Sequence, residues 1–218
     1  EESLAGRILE RVAEAVHPLP VTLKMRLGWD RDSLNAPDFA RMAQNAGIRM
    51  ITVHGRTRQQ LYNGAADWAE VARTKRASDL PVIVNGDIDT ADDVRGALAA
   101  SGADGVMIGR AACGAPWRLG QVMRLLETGQ MGDTPDLATQ REIALEHYDA
   151  LLSYYGTDRG VRIARKHMAW YASGLPGAAA FKRAVMAAEQ PAAAKALIRQ
   201  LYADAQDAGQ SATRPQAA

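Results

Sequence analysis

The chain has one cysteine, Cys113, only two phenylalanines, and no apolar run approaching the ~18 residues needed to cross a membrane. A single thiol excludes an internal disulfide framework and fits a reducing cytosol, so a cytoplasmic protein is expected. Without a long apolar run no membrane partner is expected. The opening Glu1-Glu2-Ser3-Leu4 is neither an initiator Met nor a signal peptide, and reads as the start of a fragment. A dominant charge is also lacking: 26 basic residues face 25 acidic ones, for a net charge of +1. The total therefore names no partner, but its distribution does. Between Asp158 and Arg199 stand Arg159, Arg162, Arg165, Lys166, Lys182, Arg183, Lys195 and Arg199, opposed only by Asp158 and Glu189. A basic segment on a neutral chain points to a polyanion there.

Four short apolar runs, Val21–Met25, Met50–Val53, Val82–Val84 and Val106–Ile108, alternate with helical patterns. Leu4–Val16 reads as a helix ahead of the first run. Phe39, Met42, Ala43 and Ala46 form one stripe, and Thr90-x-x-Asp93 resembles a capping box before Val94, Ala97 and Leu98. Strand–helix alternation of this kind predicts parallel βαβ units. The sheet could be a small doubly wound one or half of a closed (β/α)8 barrel. Alternation in Val21-Thr22-Leu23-Lys24-Met25-Arg26 favours the barrel, because a central doubly wound strand is apolar on both faces. The residues 129–136, rich in Gly, Pro and Asp, read as a linker. The remainder reads as helix: Leu137–Tyr155 stopping at Gly156, Arg159–Ala172, Ala178–Ala188 and Ala192–Ala208, then a polar tail. The expected division is 1–128 for the half-barrel, 129–136 for the linker, 137–208 for a helical bundle and 209–218 for a flexible tail.

Lys24 lies within a parallel strand. It is either a strand-end lysine reaching water or a cation facing a ligand at the barrel mouth. His54 sits at the carboxyl end of the second strand, before Gly55, with Arg56 and Arg58 expected to be exposed on the following loop. His54 can be a packing residue, but Lys24 one strand earlier favours a shared site. No second His or carboxylate lies at metal-ligand spacing, so no metal is expected. Asn85-Gly86-Asp87-Ile88 and Ile108-Gly109-Arg110-Ala111 each place a Gly where a strand ends and a helix is expected to begin. Backbone amides there can cradle a phosphate, as after strands seven and eight of such barrels, which numbers the visible strands five to eight. Arg110 can pair with the phosphate charge. Cys113 is expected to pack as a small residue rather than act as a nucleophile. Arg159, Arg162, Arg165 and Lys166 share one helix face, with Val161, Ala164, Met168 and Tyr171 opposite. That face is either merely solvated or it meets RNA phosphates.

Taken in order, Val21-Thr22-Leu23-Lys24-Met25-Arg26, Thr52-Val53-His54-Gly55-Arg56-Thr57-Arg58, Asn85-Gly86-Asp87-Ile88, Ile108-Gly109-Arg110-Ala111, Gly114-Ala115-Pro116-Trp117 and Arg165-Lys166-His167 with Trp170-Tyr171 resemble bacterial tRNA-dihydrouridine synthases, the B-type branch most closely. The resemblance spans about Glu14 to Ala203. It implies the second half of a flavin-binding TIM barrel followed by an all-α tRNA-binding domain. It also implies reduction of the C5–C6 double bond of tRNA uridines, with FMN as cofactor and NADPH as reductant. On this resemblance Lys24, His54, Asn85, Gly86, Asp87, Gly109 and Arg110 are the FMN-site residues. Arg56, Arg58, Arg162, Arg165 and Lys166 are the expected tRNA contacts. The family's proton-donating cysteine belongs to an Asn-x-Gly-Cys-Pro motif that does not occur in this sequence, so no catalytic residue is assigned. The isolated chain is then expected to lack activity and the amino-terminal half of the barrel. A non-catalytic tRNA-binding fragment, or another phosphate-binding flavin barrel, are the competing readings.

Overall fold

The computed structural model describes residues 2–213. Its residues fall into two compact units, divided between Ala111 and Ala112. The first unit opens with α1 (Glu2–Val16) and continues β1 (Thr22–Arg26), α2 (Ala36–Asn45), β2 (Met50–His54), α3 (Trp68–Ala77), β3 (Val82–Asn85), α4 (Ala91–Ser101) and β4 (Gly105–Met107). The four strands are parallel and lie in sequence order. Each differs from its expected range by a residue or two. Helix starts are set by local chemistry: Asp67 accepts from the Glu70 amide at α3, and Thr90 with Asp93 forms the expected capping box at α4.

Because strand side chains alternate, register decides which residues share a face. Ile51, Val53, Val82 and Val84 are fully buried, as are Ala40, Ala43, Val71, Val94 and Ala97 of the helices. The other face carries two rows. Lys24, Thr52, Ile83 and Gly105 are register partners in the first, and Arg26, His54, Asn85 and Met107 in the second, nearer the carboxyl ends. The residue beside His54 is therefore Arg26, not Lys24, which lies one row below. A parallel register places equivalent positions level, and Lys24 precedes the strand end by two residues.

The second unit holds α5 (Arg118–Thr128), α6 (Leu137–Tyr155), α7 (Thr157–Tyr171), α8 (Ala178–Ala187) and α9 (Pro191–Thr213). Its core joins Tyr148 of α6, Ala164 and Met168 of α7, Phe181 and Val185 of α8, and Ile198 and Tyr202 of α9. A methyl at Gly160 would come within 2.9 Å of the Leu151 carbonyl oxygen and the Leu152 Cα, so hydrogen at this position permits the close α6–α7 approach. Val161, Ala164, Met168 and Tyr171 are buried, as the periodicity of α7 requires.

Three expectations change. The helix α5 and residues 129–136 fall in the second unit, whereas the sequence places residues up to 128 with the strands. After Gly109 there is a single 3₁₀ turn, Arg110–Ala112, and no α-helix until Arg118. The Gly114-Ala115-Pro116 run explains this, since its Pro cannot continue a helix and Gly114 adopts a positive φ of 78°. Residues 209–213 continue α9, while 214–218 of the expected tail lie outside the described residues. Among the described residues no helix is long and apolar enough to cross a membrane.

Candidate functional site

A cavity of about 960 Å³ opens at the carboxyl ends of the four strands, lined by residues from all four strand–loop junctions. Lys24, Arg26, His54, Arg58 and Arg110 give it a cationic wall, with Asp87 and Asp89 as the acidic members. Lys24 Nζ donates to Asn85 Oδ1 at 2.8 Å, and Asn85 Nδ2 donates to the Met107 carbonyl at 2.8 Å. One amide thus fixes the ammonium and ties β3 to β4. Desolvation, then repulsion from Arg26, holds Lys24 below the ordinary lysine pKa.

His54 is buried, with its ring against Gly86. A Cβ on Gly86 would lie 2.7 Å from His54 Cδ2, and the backbone there has φ 117°. Glycine at 86 is therefore required twice, by conformation and by the ring. Burial, reinforced by Arg26, Lys24 and Arg56 and opposed by Asp87, pushes His54 down to about 4. The imidazole is neutral at physiological pH and offers one donor and one acceptor nitrogen.

Arg56 is not on the surface. Only 2% of it is exposed. Its two terminal nitrogens donate to Asp87 Oδ1 and Oδ2 at 2.9 and 2.5 Å, and it also reaches the carbonyls of Gly64 (2.5 Å) and Asn63 (3.3 Å). This corrects its expected place among exposed tRNA contacts: a guanidinium committed to a carboxylate and two carbonyls has no free edge for a phosphate. Asp87 in turn accepts from the Ala66 amide at 2.9 Å and lies 3.3 Å from Arg110. Burial alone would raise the Asp87 pKa, but the hydrogen bonds from Arg56 and Ala66 and the charges of Arg56 and Arg110 hold it below the usual carboxylate value.

Arg110 remains mostly exposed and stacks over the Tyr62 ring, 4.7 Å from its centroid, while Arg26 lies 5.8 Å from the same ring. Gly109 leaves open space: a methyl there would find its nearest neighbour, Asn85 Nδ2, 4.0 Å away. Arg58 is exposed at the cavity wall. Arg26 and Tyr62 are not among the site residues expected from sequence, although strand alternation puts Arg26 on the same face as Lys24. Arg26 becomes legible as the partner of His54 once register is known, and it donates to the Thr57 and Leu61 carbonyls. Tyr62 lies on an irregular loop with no periodic signal. Cys113 is exposed, which corrects its expected packing role, and it does not line the cavity.

The dihydrouridine synthase family model matches residues 1–208. The chain belongs to the dihydrouridine synthase family. It is 49% identical over 202 residues to a probable tRNA-dihydrouridine synthase of Rickettsia conorii, covering 93% of this chain and 61% of that protein. It is 49% identical over 209 residues to tRNA-dihydrouridine synthase B of Xanthomonas axonopodis pv. citri, covering 96% and 62%. A probable tRNA-dihydrouridine synthase of Rhodobacter capsulatus is 50% identical over 200 residues, with coverage of 92% and 61%. The chain spans about three fifths of the length of these curated relatives. The B-type names agree with the branch that the sequence motifs resemble.

The synthase-family motif residues divide between the two units. Lys24, His54, Asn85, Gly86, Asp87, Gly109 and Arg110 surround the one cavity described above. Arg162, Arg165 and Lys166 lie on α7, in a groove with Arg159, Ile163 and Met186. Arg162 and Lys166 are exposed, whereas Arg165 is half-buried and donates to the Ala188 carbonyl at 3.0 Å. Arg165 thereby caps the end of α8, so one of its donors is committed within the helical unit. His167 packs 5.1 Å from His147, whose Nδ1 is 3.2 Å from the Tyr171 hydroxyl, and burial lowers the pKa of both imidazoles. The Arg165-Lys166-His167 motif thus divides into a capping arginine, an exposed lysine and a packing histidine.

Proposed function

We propose that the full-length protein reduces uridines in tRNA to 5,6-dihydrouridine, using FMN and NADPH. The observation that carries this reading is the cationic cavity built from four family motifs at the carboxyl ends of parallel strands, where barrel enzymes place their sites. On this reading the four strands are strands five to eight of a TIM barrel, and residues 137–208 form a helical tRNA-binding domain. The cavity fits an anionic flavin nucleotide: Arg110 and the backbone around Gly109 meet the phosphate end, and the open space at Gly109 admits close approach. Lys24, held by Asn85, and neutral His54 face the ring end. When bound and reduced by NADPH, FMN supplies the hydride for the uracil C5–C6 bond.

The protein's own residues then bind, orient and exclude water. Lys24 supplies a positioned positive charge and donor, while His54 supplies a neutral hydrogen-bonding edge that adds no further charge. The proton for the base comes from elsewhere, because Cys113 is the sole cysteine and lies outside the cavity lining. We assign that donor to the portion of the family's length not spanned by this chain. The target uridine must leave its stack to reach such a cavity. On the second unit, Arg162 and Lys166 bind tRNA phosphates, with Arg58 serving the cavity mouth.

The test uses the full-length protein. After purification its flavin is released and identified, and unmodified tRNA is incubated with it and NADPH. Dihydrouridine formation with FMN as the released flavin is expected, and Lys24→Met should lower turnover by at least tenfold. A protein that carries no FMN and forms no dihydrouridine would overturn the reading.

A further inference from the structure

The last turn of α6 presents two tyrosines that the core does not use. Tyr154 is 81% exposed, and its ring meets that of Tyr155 edge to face, with centroids 4.7 Å apart and planes at 82°. Arg159 lies over the Tyr155 ring, 5.5 Å from its centroid. Tyr155 can cover at most one face of Tyr154, so at least one face of an exposed aromatic ring stands open. The row continues along α7. Arg159, Arg162 and Lys166 are spaced by three and four residues, on one side of the helix, over about 10 Å of its length. Lys166 in turn lies 5.8 Å from the Trp170 ring centroid. Among the described residues neither Arg162 nor Lys166 is in an ion pair, and the one acid in this stretch is Asp158, in the first turn of α7.

A row of cations explains affinity for phosphate. It does not explain an open tyrosine at its end, since a solvated ring is costly surface and adds no charge. The combination is that of a single-strand binding surface, in which cations track the backbone and an aromatic face takes a base. We propose that Tyr154, packed against a Tyr155 that Arg159 covers, stacks on an unpaired nucleobase of the RNA whose phosphates lie along Arg162 and Lys166. A base inside a duplex has no free face to offer, so this surface selects a looped or unstacked segment over a helical stem. The inference rests on the reading of α7 as an RNA-binding face and adds to it a preference for unpaired nucleotides.

The two contributions differ in their response to salt. Phosphate contacts release counterions, so each one lost flattens the log–log dependence of affinity on salt by about 0.7 to 0.9. Stacking releases none. Binding of the full-length protein to an RNA hairpin and to a blunt RNA duplex of the same stem is measured at several salt concentrations. Tyr154→Ala should weaken hairpin binding about fivefold or more, leave the duplex unchanged and leave the salt slope unchanged. Tyr154→Phe should bind like the unaltered protein, because stacking does not need the hydroxyl. Arg162→Ala/Lys166→Ala should weaken both RNAs and flatten both slopes. Undiminished hairpin binding by Tyr154→Ala, or an equal loss on hairpin and duplex, overturns the stacking proposal while leaving the α7 reading intact. Unchanged binding and slope in the double variant overturns the α7 reading itself.

Discussion

Replacing Arg56 should affect stability before it affects RNA binding. The guanidinium is buried, forms a bidentate pair with Asp87 and satisfies the Gly64 and Asn63 carbonyls. Arg56→Ala removes all of these and leaves a carboxylate whose other partners are the Ala66 amide and Arg110. Breaking a buried pair by removing one partner costs ~3–5 kcal/mol. Asp87 keeps 30% side-chain exposure, so water and Arg110 recover part of that, and a net loss of about 2–4 kcal/mol is expected. Arg56→Lys keeps the charge but not the planar fork, and should fall between. The measurement is urea unfolding followed by circular dichroism, repeated across pH. The sign follows from the lowered Asp87 pKa. The folded state holds the carboxylate ionised, so this stabilisation is complete above the ordinary carboxylate pKa and disappears as pH falls through the lower folded value. The unaltered protein should therefore lose more stability on acidification than Arg56→Ala does. A change within ~0.5 kcal/mol, typical of surface positions, combined with a flattened salt dependence of tRNA binding, would refute the buried-pair reasoning. It would return Arg56 to the RNA-facing role expected from sequence.

His54 gives a second pH signature of opposite chemistry. With a folded pKa of about 4 against about 6.5 unfolded, the unfolded chain binds the extra proton between those values, so stability should fall as pH drops across that window and level off below it. Its ring resonances should show a neutral imidazole at pH 6, and a titration midpoint near 6.5 would contradict the burial. In the full-length protein, Arg110→Ala should weaken FMN binding by ~1.5–3 kcal/mol, and Cys113→Ala should leave it unchanged, as followed by flavin fluorescence. If the cysteine change alone abolished turnover while FMN stayed bound, Cys113 would have to be the proton donor after all.

Local and periodic features were legible in the sequence, whereas those made by distant partners were not. The Thr90–Asp93 capping box and the buried side of α7 depend on residues three or four apart, and the sequence displays both. The parallel strands and the polar face carrying Lys24 and His54 follow from alternation of period two. Arg56 reads from sequence as a loop cation because its burial depends on Asp87, 31 residues away, and on two carbonyls of an irregular loop. Arg165 shares the cationic side of α7, yet a carbonyl at the end of α8 takes its donor. The 3₁₀ turn at Arg110–Ala112 defeats a simple strand-to-helix reading because Gly114 and Pro116 delay the next helix. Tyr62 has no repeat or motif to mark it, and only the folded loop brings it beneath Arg110.

The Asp87 carboxylate receives donors from Arg56, Ala66 and Arg110, and so joins the segments that follow three successive strands. These segments are consequently not interchangeable parts. A chimera that imports residues 55–67 from a relative without its matching 86–89 segment would strand either an arginine or an aspartate, even if every imported residue suited its own loop. Epistasis should accordingly concentrate at positions 56, 87 and 110, whose side chains make these contacts and where paired changes deviate from the sum of single ones. Grafts intended to reshape the cavity would do best to carry all three segments as one block.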